Sequence, residues 1–236
     1  MIRDLMSGNF DMTQFIMRML YFIPVVLITL TVHEYAHGYV AYKLGDPTAK
    51  MMGRLTPNPV KHLDPVGFLM MVFVGFGWAK PVMINARNFK NPKKGMAISA
   101  SAGPASNLIM AVIGVLIYEI LFRIFVNAEI FNSFAASALT FFGYFTMLNV
   151  WFAVFNLLPV PPLDGSRIVT YFLPPKLGYY YSYVERYGII VLMILIIKIP
   201  YIPFTGILRP LLNIMTGLIL NGIDSLVSLL FIPFGG

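Results

Sequence analysis

Long apolar stretches alternate with short polar ones along this 236-residue chain. The first covers residues 15–42, and at 1.5 Å per residue it is longer than the roughly 30 Å hydrocarbon core of a bilayer. The other stretches of spanning length lie at about 96–126, 134–158, 187–202 and 207–231. The pattern predicts an all-α fold, a polytopic membrane helix bundle of about five to six spans that forms one integral-membrane domain over residues 1–236.

Residues 63–78 are mostly apolar but fit a simple span poorly, because they include Asp64 and four residues that disrupt helices. These four are Pro65, Gly67, Gly75 and Gly77. Lys and Arg residues flank the segment on both sides, so a span would place two basic clusters on opposite faces of the membrane. Basic residues normally collect on the cytoplasmic side. We therefore predict a re-entrant or interfacial segment, five crossing helices and an external N-terminus.

A short β element is predicted in the polar stretch that follows. Residues 82–89 have the composition of a strand and are flanked by Pro81 and Pro92. The free edge of such a strand would hold an extended peptide by β-augmentation.

The composition excludes several classes of protein. Hydrophobic residues make up 58% of the chain and charged residues 11%, whereas a water-soluble domain needs about a quarter of its residues charged. The net charge of +7 fits cytoplasmic loops and anionic lipid headgroups, so no nucleic-acid partner is expected. The chain has no cysteine, so a transition metal would have to be bound by His, Asp or Glu.

The first predicted helix contains the sequence His33-Glu34-Tyr35-Ala36-His37. Histidines four residues apart lie on one face of a helix and can bind one zinc ion, while the carboxylate of Glu34 can take a proton from the attacking water. Polar side chains inside a spanning helix are costly unless they pair or bind a ligand. The alternative is a structural His–Glu cluster that holds helices together.

A catalytic zinc needs a third protein ligand in addition to two histidines. The candidate acids in or near the apolar segments are Asp64, Glu119, Asp164 and Asp224. Asp164 follows a proline-rich break at the end of the stretch 134–158, and irregular backbone at that depth usually lines a cavity. The predicted topology brings Asp164 to the same side of the membrane as the histidine pair. The alternative for this run is an ordinary helix end followed by a surface aspartate.

Together these motifs resemble the site-2 protease family of intramembrane zinc metalloproteases, in its compact form without a PDZ or CBS domain. The resemblance extends over about residues 15–170. Its motifs are His33-Glu34-x-x-His37, Gly103-Pro104-Ala105-Ser106-Asn107, Asn156 eight residues before Asp164-Gly165, Asn58-Pro59, and His62-x-Asp64-Pro65-x-Gly67.

The resemblance implies that His33, His37 and Asp164 bind Zn2+ and that Glu34 is the general base. Asn156 would bind substrate or stabilise developing charge. It also implies an endopeptidase that cleaves membrane-spanning protein substrates near the cytoplasmic side of a prokaryotic cell membrane. His62 and Asp64 are expected to be loop residues rather than ligands.

Two other functions remain open at this stage. Buried His, Glu and Asp also mark the pathways of ion- or proton-coupled transporters, although no inverted repeat is evident. A non-catalytic relative that binds zinc and a membrane partner would carry the same ligands. The sequence leaves the oligomeric state unknown.

Overall fold

The structure, a computed structural model, describes residues 11–74, 77–196 and 208–231. These ranges are predominantly helical. The α-helices that they contain are, in chain order, α1 (Met12–Lys43), α2 (Thr48–Met51), α3 (Pro65–Val74), α4 (Pro92–Asn127), α5 (Ser133–Leu157), α6 (Asp164–Phe172), α7 (Pro175–Ile196) and α8 (Leu208–Phe231).

Four helices in the described ranges are long and apolar enough to cross a membrane. They are Phe15–Lys43 of α1, Pro92–Asn127 of α4, Ser133–Leu157 of α5 and Pro210–Leu229 of α8. This confirms the predicted all-α polytopic bundle. Asparagine side chains begin two of the spans: Asn91 accepts the backbone N–H of Lys94 and Asn132 accepts that of Ala135.

The predicted span at 187–202 differs from the structure. Helix α7 begins at Pro175, twelve residues earlier, because proline fits the first turn of a helix, where its missing N–H has no helical partner. The added first half carries Lys176, Glu185 and Arg186, and α7 is not among the four candidate spans of the described residues. Residues 197–202 of the predicted span lie outside the described ranges.

The segment at 63–78 contains α3, whose ten residues extend about 15 Å at 1.5 Å per residue, half of the hydrocarbon core. Asp64 caps this helix by accepting the backbone N–H of Gly67 at 2.7 Å. An antiparallel bridge joins Leu63 to Ala79. The two ends of the segment therefore lie side by side. Its re-entrant or interfacial placement in a membrane stays a prediction.

The predicted strand at 82–89 is wrong. Within the described ranges, the single β pairing is the bridge between Leu63 and Ala79. Asn85 has an extended backbone and is followed by a 3-10 turn, Ala86–Asn88, because the side chain of Asn85 accepts the backbone N–H of Arg87. With no neighbouring strand for pairing, the local preference of Asn85 for a cap decides the conformation.

Helix α4 lies at the centre of the bundle, where it packs against α1, α5, α6 and α8. Small residues such as Ala100, Gly103 and Ala111 line its buried face and allow the neighbouring helices to approach closely. The main apolar core lies between α4, α5, α7 and α8. It includes Val115, Val150, Val154, Leu192 and Leu212.

Candidate metal centre

Two histidines of α1 face the centre of the bundle. His33 and His37 are one turn apart and are 5% and 7% exposed. Their rings are perpendicular, at 87°, and their Nε2 atoms lie 3.0 Å apart. His37 lies less than two turns before the end of α1 at Lys43, about 9 Å along the helix axis. The pair therefore lies below the surface of the bundle.

The loop after α5 brings a carboxylate to the histidines. Asp164 is the first residue of α6, and its Oδ2 atom lies 3.2 Å from Nε2 of both His33 and His37. The loop folds tightly here, and a Cβ at position 165 would collide with the carbonyl oxygens of Leu157 and Leu158. Gly165 is required for this close return of the chain.

The three ligand atoms have the spacing of a zinc site. Four ligands at 2.0–2.1 Å from a tetrahedral zinc lie about 3.3 Å from one another. The observed separations of 3.0, 3.2 and 3.2 Å correspond to one face of such a tetrahedron. Oδ2 of Asp164 is buried and has no hydrogen-bond partner among the described residues. Three electron-rich atoms in contact need a cation between them, so the residues fit the metal.

The outer ring nitrogen of each histidine is also engaged. Nδ1 of His37 donates to the backbone carbonyl of Ser99 at 2.7 Å, and Nδ1 of His33 contacts Oδ1 of Asn107 at 2.5 Å. An imidazole that donates from Nδ1 presents the lone pair of Nε2 to the metal. The backbone of α4 lies close to the two imidazoles, since a Cβ at Gly103 would collide with both rings.

Glu34 lies beside the ligands and is held by a distant loop. Its Oε2 atom accepts the backbone N–H of Val82 at 2.8 Å, and the residue is 9% exposed. Arg54 fixes the same loop by donating to the carbonyl of Lys80 at 2.6 Å. The carboxylate is thus oriented near the metal site without belonging to the ligand group.

Asp46 anchors the other end of this loop. The fully buried residue accepts the backbone N–H of Asn85 at 2.7 Å, the amide of Asn88 at 2.6 Å, and the hydroxyl and backbone N–H of Thr48. Burial opposes ionisation, but these hydrogen bonds outweigh it and hold the pKa of Asp46 below its ordinary value of 3.8. Asp46 was not among the residues predicted for the site. Its Asp46-Pro47-Thr48 context signals only a turn.

Asn156 lies on the last turn of α5 and lines the same cavity as His33 and Glu34. Its Nδ2 atom donates to the carbonyl of Phe152 at 3.0 Å. This amide nitrogen has a second hydrogen, which is available to a substrate. Asn156 therefore lines the same cavity as His33 but, unlike Asp164, does not belong to the group that could hold a metal ion.

The structure does not bring the other acidic candidates to the histidines. Asp64 caps α3, and Asp224 is exposed on α8. Glu119 pairs with Arg123 along α4, with 3.8 Å between its Oε2 and the arginine Nε. His62 is a loop residue whose Nε2 contacts the carbonyl of Thr56 at 2.9 Å. In the described part of the chain, the group that could hold a metal ion is His33, His37 and Asp164.

A cavity of about 940 Å³ reaches the site, where His33 and Glu34 are part of its lining. Its lining is largely apolar, and residues of α1, α3, α5, α7 and α8 contribute to it. Large side chains such as Phe22, Trp78, Met147, Trp151 and Leu192 form much of the wall. Such a volume is at the upper end of small-ligand sites and admits a short stretch of extended peptide.

Comparison with known proteins agrees with this geometry. The profile of Peptidase family M50 matches residues 21–197. The proposed zinc metalloprotease YwhC of Bacillus subtilis is 42% identical over 177 residues, 75% of this chain and 80% of its own length. The proposed zinc metalloprotease Rip2 of Mycolicibacterium smegmatis is 28% identical, over 72% of this chain and 64% of its own. The zinc metalloprotease MJ0392 of Methanocaldococcus jannaschii is 28% identical, over 66% and 35%. No solved structure matches the chain.

A buried His-His-Asp group with an adjacent glutamate, inside a bundle of membrane helices, defines a membrane-embedded metallohydrolase. The chain belongs to peptidase family M50, which confirms the resemblance to site-2 proteases. It is a multi-pass integral membrane protein and a zinc metalloprotease, and the transporter alternative is set aside.

Proposed function

We propose that the protein is an intramembrane endopeptidase. It cleaves a peptide bond of another membrane protein, within or beside that protein's spanning segment and near the cytoplasmic side of a prokaryotic cell membrane. The observation that carries the proposal is the triangle of His33, His37 and Asp164, which lies inside the bundle beside an apolar cavity lined in part by His33 and Glu34. An aqueous cleft would suit a soluble substrate better.

The depth of the site supports cleavage near one membrane surface. His37 is about 9 Å from the end of α1 along its axis. Lys43 is the last residue of α1 and Lys50 lies seven residues further on, and basic residues favour the cytoplasmic side. The scissile bond is therefore expected a few residues inside the cytoplasmic boundary of the substrate's span.

His33, His37 and Asp164 would hold the zinc, which when bound acts as a Lewis acid that lowers the pKa of water and polarises the scissile carbonyl. Glu34 takes a proton from the attacking water and later delivers it to the leaving amine as the C–N bond breaks. The backbone N–H of Val82 holds the carboxylate in position for both transfers. The free hydrogen on Nδ2 of Asn156 is available to the carbonyl oxygen as charge develops there.

The substrate must unwind locally before cleavage. The carbonyl groups of a helix are already hydrogen-bonded within it, so an intact spanning helix does not present a free peptide bond. The apolar wall of the cavity provides an environment for the side chains of the unwound stretch. The predicted strand edge at 82–89 has no part in this, since the structure has no strand there.

The proposal is tested with purified full-length protein in liposomes. Wild type, Glu34→Gln and Glu119→Gln are each reconstituted with a panel of single-span membrane proteins, and cut sites are mapped by mass spectrometry. Glu119 is a matched control because it is also an acid in a spanning helix but pairs with Arg123. Zinc content is measured in every sample.

We expect cleavage by wild type and Glu119→Gln at sites inside the span. Glu34→Gln should retain zinc but cleave roughly 10²–10⁴-fold more slowly than wild type, which is the usual contribution of a general base. Cleavage only in extramembrane segments would contradict the intramembrane assignment. Zinc binding without cleavage by any of the three proteins would indicate a non-catalytic relative.

A further inference from the structure

A chain of buried polar side chains crosses three helices behind the metal centre. Nδ2 of Asn149 on α5 donates to Oγ1 of Thr29 on α1 at 3.1 Å and to the carbonyl of Phe145 at 2.9 Å. Oδ1 of Asn149 accepts from Nδ2 of Asn107 on α4 at 2.9 Å. Asn107 then presents Oδ1 to Nδ1 of His33 at 2.5 Å. Thr29, Asn107 and Asn149 are all fully buried.

The bond between Asn149 and the carbonyl of Phe145 determines which group donates in every other hydrogen bond of this polar network. A backbone carbonyl can only accept, so the atom of Asn149 that faces Phe145 O must be its amide nitrogen. The amide oxygen of Asn149 then faces Asn107, which must donate. The remaining amide oxygen of Asn107 therefore faces His33, and His33 donates from Nδ1. Nε2 of His33 is left with a lone pair directed at the metal position.

The second histidine does not need such a chain. Nδ1 of His37 faces the backbone carbonyl of Ser99, whose orientation is fixed by its own helix. The side-chain amide of Asn107, in contrast, can rotate by 180° with little change in shape. In the rotated form its NH2 would face Nδ1 of His33. The proton of the neutral imidazole would then lie on Nε2, where it blocks metal binding.

We propose that Asn149 is a positioning residue of the metal centre. It acts through Asn107, which it holds in the orientation that keeps the lone pair of His33 Nε2 available to zinc. The proposal concerns metal binding alone and is independent of which peptide bond the protein cleaves. Outer hydrogen-bond partners of metal ligands commonly contribute 10–100-fold in metal affinity, which sets the expected size of the effect.

The first test compares zinc affinity in full-length variants by chelator competition in detergent. Asn149→Leu removes the hydrogen bonds with little change in volume, and we expect it to bind zinc about 10–100-fold more weakly. Thr146→Val is the matched control. Thr146 is also buried on α5, and its hydroxyl has no partner among the described residues, so this variant should keep the wild-type affinity.

A rescue experiment separates orientation from packing. A carboxylate has no hydrogen to donate, so an aspartate at position 107 accepts from His33 whichever way it is turned. We therefore expect Asn107→Asp to restore zinc affinity in the Asn149→Leu background. A cavity or helix shift caused by Asn149→Leu would not be repaired by this exchange. Wild-type affinity in Asn149→Leu, or failure of the double variant to recover, would overturn the proposal.

A measurement on the wild type keeps the proposal testable if Asn149→Leu does not fold. The chain has three histidines, and 15N NMR of the zinc-free protein at a pH where they are neutral reports the tautomer of each ring. His62 faces the carbonyl of Thr56 through Nε2, so it should carry its proton there. His33 and His37 should carry theirs on Nδ1. An Nε2-protonated His33 would contradict the proposed role of Asn149.

Discussion

The backbone N–H of Val82 donates to Oε2 of Glu34 at 2.8 Å, so a residue of the loop between α3 and α4 orients Glu34, the proposed general base on α1. The loop is itself fixed at both ends. Arg54 binds the carbonyl of Lys80, and Asp46 binds the backbone of Asn85. The base therefore depends on a segment that contributes no side chain to the metal.

Replacing Val82 with proline should slow cleavage without loss of zinc. The substitution removes the donor of the hydrogen bond to Glu34, and hydrogen bonds to charged groups contribute about 1.5–3 kcal/mol. At 1.36 kcal/mol per tenfold change in rate, a loss of roughly tenfold or more in kcat is expected. Val82→Ala keeps the N–H and serves as the control. Equal rates for the two variants would show that this hydrogen bond does not matter for catalysis.

Gly103→Ala should disrupt the metal centre. The added methyl group would collide with the imidazoles of His33 and His37, so either the rings or α4 must move. Overpacking of this kind costs about 1–3 kcal/mol, and we also expect a lower zinc content. Gly143→Ala on α5 is the control, because its methyl group would meet no described atom within 4 Å. Zinc content and thermal unfolding of both variants in detergent provide the comparison.

Asp46 should make the stability of the protein depend on pH in the acidic range. Its pKa is held below the ordinary value of 3.8 in the folded state, so its ionised form stabilises the fold above about pH 3.8. This contribution is lost as the pH falls from there through the lowered pKa. Asp46→Asn should be less stable than wild type at neutral pH and should show less further loss on acidification.

Thermal unfolding followed from about pH 6 to about pH 2 measures this difference, because the loss falls mainly below about pH 3.8. Asp224→Asn is a suitable control because Asp224 is exposed on α8. If wild type and Asp46→Asn lost stability in parallel over this range, the stabilising role of the ionised Asp46 would be refuted.

The sequence predicted the features that depend on local spacing. Histidines four residues apart must share a helix face, and the apolar stretches are long enough to cross a membrane. The placement of His33, Glu34 and His37 and four of the five predicted spans therefore followed directly. Asp164 required an additional inference about topology, because the proline-rich loop has no periodicity. The charge pattern around residues 63–78 predicted a segment that does not cross, and the side-by-side ends of this segment, Leu63 and Ala79, fit that prediction.

The features that the sequence missed depend on contacts between distant segments. Asn149 is hydrogen-bonded to Asn107, and Asp46 is hydrogen-bonded to Asn88. In each pair the two residues are more than forty positions apart, and no local sequence pattern marks such partners. The predicted strand at 82–89 failed for the same reason. Its composition suits a strand, but a strand also needs a neighbour, and the N–H of Val82 is directed to Glu34 instead.

The most direct test of the metal centre is X-ray absorption at the zinc edge on the purified protein. We predict one zinc per chain with two imidazole nitrogens and carboxylate or water oxygens at about 2.0–2.1 Å. His62→Gln should leave the spectrum unchanged, whereas Asp164→Ala should weaken zinc binding and alter the oxygen shell. A protein without zinc, or a zinc shell lacking the two imidazoles, would contradict the site at His33, His37 and Asp164.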